Sequence, residues 1–239
     1  MNFIQPLKNR PQAANDMFMR TDWQNYNTAC LDISLHNRYQ EGVYLAGAFE
    51  WVSKRFDKCL INFGDTLHRH NLSYVCGSVQ KAHEKARALG DQWIEDNIDC
   101  FQHLQIPYCF IRGDDWLIDP DFEATHHALW AFYREDKGLQ ASIESDVHGF
   151  VSRADQSIEI SDMRKASTAY LIEETATDIL LGERGGVAHL YPADRHQCYY
   201  YLIKNTHRLP SGLRGLEKSA FKRLSPSKIS LKTRVAKKA

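Results

Sequence analysis

Residues 28–64 read TACLDISLHNRYQEGVYLAGAFEWVSKRFDKCLINFG. TACLDI (28–33) is a short run rich in residues that suit a buried strand. VYLAGAFEWVSKRF (43–56) is longer and carries its apolar residues at helical spacing, and CLINFG (59–64) returns to a strand. Strand, helix, strand at these lengths is a βαβ unit, whose two strands run parallel. The pattern continues downstream. A long helix is expected over 78–104, broken near Gly90, then a strand YCFIRG (108–113) and two helices near 121–137 and 138–153. A further helix starts at Asp162 and is expected to stop at Gly182, a residue type that favours the C-terminal cap. GVAHLY (186–191) makes a fourth strand, with CYYYLI (198–203) pairing or packing beside it. This alternation predicts an α/β fold with a mostly parallel sheet. Such sheets collect reactive groups at the carboxyl ends of their strands, which singles out Ser34, Asp65 and Tyr191.

The chain has 239 residues, enough for one large domain or a domain with an appendage. Hydrophobic residues make up 43% and charged residues 25%, as in ordinary globular proteins. No apolar run approaches the roughly 18–20 residues of a membrane span, and the first residues lack the apolar core of a signal peptide. A cytoplasmic location is expected, with the six scattered cysteines reduced. The histidine clusters His68/His70 and His126/His127 match no four-ligand spacing, so no metal is expected. The formal net charge is zero but unevenly spread. Residues 207–239 hold ten Lys or Arg against Glu217 alone, which leaves the rest of the chain acidic. A basic tail on an acidic body suits a polyanionic partner. The expected division is therefore 1–206 as the main α/β domain and 207–239 as a basic C-terminal helix and tail, either contacting such a partner or partly disordered.

A serine needs activation to act as a nucleophile. The residues around Ser34 read DISLH, not the GxSxG elbow of a serine hydrolase, and His36 is close in sequence for a base. A serine esterase therefore has little support. Along the late helix, at about 100° per residue, Ala169, Ile172, Ala176 and Ile179 share one face. Tyr170 and Glu174 lie together on the other face. They are either a surface pair or the wall of a cavity, where the carboxylate would hold an ammonium group.

In this order the segments resemble the tRNA-dependent cyclodipeptide synthases over about residues 30–203. DISLHNRYQEG looks like the family's nucleophilic serine segment, and INFGDTLHRHNL (61–72) like its second-strand signature with an Arg-His-Asn triplet. KARALGDQWI (85–94) resembles the next helix, AYLIEETA (169–176) the Tyr-x-x-x-Glu helix, and HLYP (189–192) the later tyrosine of the Tyr-Pro subgroup. The resemblance implies one Rossmann-like domain related to the catalytic domain of class I aminoacyl-tRNA synthetases. The ATP-using motifs are missing, so no cofactor is expected. It implies two aminoacyl-tRNA substrates, a seryl intermediate at Ser34, and roles for Tyr170, Glu174 and Tyr191 in holding the amine and moving protons. A monomer with no obligate protein partner is expected, and the runner-up is a non-catalytic tRNA-binding protein of synthetase ancestry.

Two departures mark this chain. Asp32 stands where the family commonly has glycine. Cys30 and Asp32 project to one side of the first strand, as Asn62 and Gly64 do on the second, and the resemblance makes all four, with Asn37, residues of the first amino acid's pocket. A buried carboxylate needs a cationic or donor partner. That partner is either an internal Arg, Lys or His, or a polar or cationic substrate side chain, histidine foremost. In FIRGDDWL (110–117), Gly113 follows the arginine where the family often has an aromatic, and Trp116 comes three residues later. For tRNA phosphates the candidates are Lys81, Lys85 and Arg87 on the long helix, and Arg214, Lys218, Lys222 and Arg223 in the C-terminal segment.

Overall fold

The computed structural model describes residues 22–35, 37–152, 159–193 and 195–224. Five strands form one sheet: β1 (Thr28–Ile33), β2 (Lys58–Phe63), β3 (Tyr108–Arg112), β4 (Ala188–Tyr191) and β5 (Ala220–Arg223). Their spatial order is β3-β2-β1-β4-β5, and every pairing is parallel. The fold class read from the sequence is the one observed. The order reverses between β1 and β4, so the carboxyl ends of these two strands flank the crevice where open α/β sheets bind ligands.

Helices cover both faces. On one lie α1 (Gly42–Ser53) and α3 (Val79–Asn97), packed on Leu31, Ile33, Ile61 and Phe63. On the other lie α5 (Pro120–Glu135), α6 (Lys137–Val151), α7 (Ile160–Glu183) and α8 (Gln197–Lys204). Cys30 belongs to this second core while its neighbours Ala29 and Leu31 belong to the first, as strand alternation requires. Two shorter helices, α2 (His68–Cys76) and α4 (Gly113–Leu117), follow β2 and β3 directly at the sheet's upper rim. α7 is enclosed on nearly every side, because α2, α5, α6 and the turns before β5 all pack around it.

Several expectations need correction. CYYYLI is not a strand but the body of α8: Cys198, Tyr199 and Leu202 are buried, a helical spacing that short apolar runs share with strands. α3 runs unbroken through Gly90, and a 3₁₀ turn over Ile98–His103 replaces its expected end. Gly90 serves close packing, since a Cβ there would stand 2.4 Å from Asp65 Oδ2 and 2.8 Å from Arg112 Nη2. α7 likewise continues past Gly182, where the backbone of Gly215 approaches so closely that a Cβ would lie 1.9 Å from its carbonyl oxygen. Gly182→Ala is expected to cost about 2–3 kcal/mol. It would read out as a lower urea midpoint at unchanged slope, and a midpoint equal to wild type would contradict the packing described.

The boundary expected at residue 206 also moves. Residues 207–224 form no separate appendage: Ala220 N–H donates to Val187 O at 3.0 Å, and β5 completes the sheet beside β4. No helix is found among the described residues of this segment beyond short 3₁₀ turns. The remaining basic residues, 225–239, lie outside the described residues, as does His36. No helix among the described residues is long and apolar enough to cross a membrane.

Candidate active site

Ser34 follows β1 directly, half-buried at the switch point. The loop that carries it is held by one buried side chain: Gln40 Oε1 accepts from Ser34 N–H at 3.0 Å, and Gln40 Nε2 donates to the Asp32 carbonyl. An amide that both accepts from and donates to the same loop fixes the serine's backbone without touching its hydroxyl. Sequence reasoning missed Gln40, six residues from Ser34 and indistinguishable there from a surface glutamine.

Tyr191 ends β4 and donates its hydroxyl to Ser34 Oγ at 3.4 Å. Tyr170 hydrogen-bonds the same serine from α7. Burial, with Glu174 next to it, pushes the Tyr170 phenol well above the usual tyrosine range, so it stays protonated as a donor. Burial raises Tyr191 as well. Asn37 accepts from Tyr39 N–H at 3.2 Å and also bonds the Tyr191 hydroxyl, from the loop after Ser34. Ser34, Tyr170, Tyr191 and Asn37 are thus one hydrogen-bonded group. The Tyr170–Glu174 face of α7 is not a solvent surface.

A cavity of about 430 Å3, its mouth included, opens beside this group. Ser34, Asn62, Gly64, Trp116, Glu174 and Asp178 are among its walls. Glu174 forms an ion pair with His196, Oε2 to Nε2 3.2 Å. Burial alone would lower the His196 imidazole, but bonding to Glu174 and the field of Asp146 hold it above its ordinary value. His196 lies at the start of α8, and nothing in its sequence context connects it to Glu174. Trp116 answers the question left by Gly113: α4 turns its indole into the cavity wall, where Nε1 donates to Asn62 Oδ1 at 2.9 Å. Two members of the Arg-His-Asn triplet act on α7. Arg69 and His70 both reach buried Glu173, His70 Nε2 at 2.8 Å, and this pins the turn between Tyr170 and Glu174.

Asp32 is fully engaged. Its Oδ1 accepts from Cys30 Sγ at 3.3 Å and Asn62 Nδ2 at 3.1 Å. Its Oδ2 faces His189 Nδ1 at 2.9 Å and the Arg195 guanidinium. Burial pushes this carboxyl up, but Arg195 and His189 overcome that and hold it well below the usual carboxylate range. A carboxylate has about four acceptor positions, and all four are used. Of the two expected partners, the internal cation is the one present. Cys30, Asp32 and His189 offer ligand atoms within 4.8 Å of one another, the spacing of a metal site. Arg195 already supplies the cation there, and burial with nearby carboxylates raises the Cys30 thiol well above its ordinary value, so it stays protonated. The trio fits a hydrogen-bonded support better than a metal centre.

The candidate tRNA residues divide. Lys81, Lys85 and Arg87 are exposed on α3, Arg87 within 3.3 Å of Asp114. Arg214 spends its guanidinium on the Leu209 carbonyl, Lys218 pairs with Glu183, and Lys222 sits over the Trp23 ring. Arg223 ends β5. α3 is tied to the β3 edge, where Arg112 reaches the Arg87 carbonyl, while β5 is the opposite edge. The two sets therefore stand on opposite sides of the sheet.

No protein-family model matches the chain, and neither does any curated protein. Solved structures do. A cyclodipeptide synthase of Fluoribacter dumoffii superposes with a TM-score of 0.70 at 22% identity, covering 84% of this chain and 91% of that one. The cyclodipeptide synthase of Candidatus Glomeribacter gigasporarum, solved bound to Phe-tRNAPhe, gives 0.60 at 19%, covering 81% and 86%. Tyrosyl-tRNA synthetase of Pyrococcus horikoshii gives 0.52 at 11%, covering 83% of this chain and 50% of that one. At these identities the likeness is one of fold, shared with the cyclodipeptide synthases and with a tRNA synthetase.

Proposed function

We propose that this chain is a cyclodipeptide synthase, an aminoacyltransferase that joins residues from two aminoacyl-tRNAs into a 2,5-diketopiperazine. The observation that carries the reading is that Ser34 and Glu174 line one cavity at the switch point while Tyr170 and Tyr191 close on the same serine. The likeness of fold supports it, and HLYP fits the Tyr-Pro subgroup.

An aminoacyl ester on tRNA is already activated, so acyl transfer needs no ATP. Ser34 Oγ attacks the ester carbonyl, the bond to the ribose oxygen breaks, and the serine proton passes to that oxygen. Tyr170 and Tyr191, both kept protonated by burial, are placed to carry protons between the serine and its leaving group. Glu174 receives the α-ammonium of the bound residue in place of His196. The ammonium gives a proton to Glu174, and the amine attacks the ester carbonyl of a second aminoacyl-tRNA and displaces that tRNA's ribose oxygen; the free amine of the resulting dipeptidyl ester then attacks the seryl ester, closing the ring and releasing the Ser34 hydroxyl. Charged tRNA places the reaction in the cytoplasm. The exposed α3 cations suit its phosphates better than Arg214 and Lys218, which already hold internal partners. Among the described residues the hydroxyls that reach Ser34 Oγ come from tyrosines, which gives an esterase built on a Ser-His pair no support. The first amino acid is expected to be polar, histidine foremost, but Asp32 no longer supplies the reason, because its acceptor positions are occupied.

The test is incubation with each aminoacyl-tRNA in turn, followed by intact-mass and peptide analysis. Mass equal to one aminoacyl group at Ser34, followed by a cyclic dipeptide, is the expected result. Retained tRNA with no adduct would mean a binding protein, and free amino acid alone an esterase.

A further inference from the structure

With Asp32 occupied, a different carboxylate is left to meet the substrate. Asp178 lies four residues beyond Glu174 and eight beyond Tyr170 on α7, so the three share one face. It lines the same cavity and is 1% exposed. Its Oδ2 accepts from Tyr199 Oη at 2.7 Å, with Arg195 Nη1 3.6 Å away. Its Oδ1 accepts no hydrogen bond from the described residues. His189 Nδ1 stands 3.8 Å from that oxygen but is committed to Asp32 at 2.9 Å. A buried carboxylate oxygen without a donor is costly, so this one calls for a donor from outside the protein.

Resting on the transferase reading above, we infer that Asp178 selects the first aminoacyl residue, accepting a hydrogen bond from a side chain that ends in a neutral N–H group, an imidazole or a carboxamide. The geometry sets the size. Glu174 and Asp178 are one helical turn apart, about 6 Å along the axis. A residue whose α-ammonium meets Glu174 reaches Asp178 with a side chain the length of histidine or glutamine. The charge sets the class. Arg195 already lies against the far side of Asp178, so the ammonium of lysine or a second guanidinium would face a like charge. An aliphatic or phenyl side chain would leave Oδ1 unmet. Burial raises the Asp178 carboxyl to about 6, which is consistent with an oxygen still lacking its donor.

The experiment compares the loading rate of Ser34 in the full-length protein with purified histidyl-, glutaminyl-, asparaginyl-, lysyl-, leucyl- and phenylalanyl-tRNA. At least one imidazole or carboxamide substrate should load tenfold or more faster than leucyl, phenylalanyl and lysyl. In Asp178→Asn, which keeps the shape and can still accept from Tyr199, that ratio should collapse to within about threefold of unity. Leucyl, phenylalanyl or lysyl loading fastest in wild type would overturn the inference while leaving the transferase reading intact. So would an unchanged ratio in Asp178→Asn. The wild-type panel decides even if the variant does not fold. Failure of every aminoacyl-tRNA to load Ser34 would remove both.

Discussion

A Ser34→Ala protein is expected to keep its fold, to gain no mass from any aminoacyl-tRNA, and to make cyclic dipeptide at least about a thousandfold more slowly than wild type. The structure gives reasons for both halves. The hydroxyl accepts from Tyr191 and bonds Tyr170, and among the described residues it bonds no backbone atom. The loop is held instead by Gln40, through the Ser34 amide and the Asp32 carbonyl, and neither contact changes with the side chain. Far-ultraviolet circular dichroism and the urea midpoint should therefore match wild type, within about 1 kcal/mol. On the transferase reading the Ser34 hydroxyl is the nucleophile, and no neighbouring group replaces it. A tyrosine hydroxyl held above its ordinary pKa by burial is a poor substitute, since so little of it ionises. Product formation by Ser34→Ala near the wild-type rate would mean that the amino acids pass directly between two tRNAs and would end the covalent scheme.

The second large effect concerns Arg195, which sequence reasoning overlooked. Its guanidinium pairs with Asp32, lies near Asp178, and sits over the rings of Tyr191, Tyr199 and Phe221 at 5.1–5.7 Å. Removing it leaves two buried carboxylates without their cation. Arg195→Leu is expected to lose about 3–5 kcal/mol near pH 7.5, read as a fall in the urea midpoint. The deficit should shrink as the solution is acidified. In wild type Arg195 holds Asp32 below its unfolded pKa, so that pairing stabilises above the unfolded value and is lost as pH falls through the folded one. Without Arg195 the burial that raises both carboxyls is opposed at Asp32 by His189 and its remaining donors, so both should fold with higher pKa values than in wild type. Asp178 already stands at about 6 with the guanidinium present. The folded variant then binds more protons than the unfolded chain, and its stability rises from pH 7.5 toward pH 5. Arg195→Lys should recover only part of the loss, because a single ammonium cannot span both carboxylates as the guanidinium fork does. A deficit that grows on acidification would contradict this charge arrangement.

Much of this molecule was legible in its linear order. Alternating strand and helix runs define the parallel α/β class, because the two periods are local properties of the backbone. Ser34, Tyr170, Glu174 and Tyr191, which the fold brings together, all stand out in the sequence. Two stand directly at strand ends and two are one turn apart on a helix, positions that spacing reveals. CYYYLI misled because a six-residue apolar run suits either element until its neighbours decide. β5 went unread because four residues in a basic stretch carry almost no periodic signal, and only the open edge of β4 makes them a strand.

Local order in the chain was enough to put Ser34 and Tyr191 at strand ends and Tyr170 and Glu174 one turn apart on a helix. The tertiary structure decided which charges are spent and which remain. Asp32 and Asp178 are chemically alike, and nothing in the string separates them. Folding surrounds Asp32 with Cys30, Asn62, His189 and Arg195, drawn from four elements or loops as far as 163 residues away. It leaves Asp178, which lines the cavity, with one oxygen that meets no donor among the described residues. Hydrogen bonds saturate within a few ångströms and ignore chain distance, so the assignment of donors to acceptors exists only once the sheet and its helices have closed.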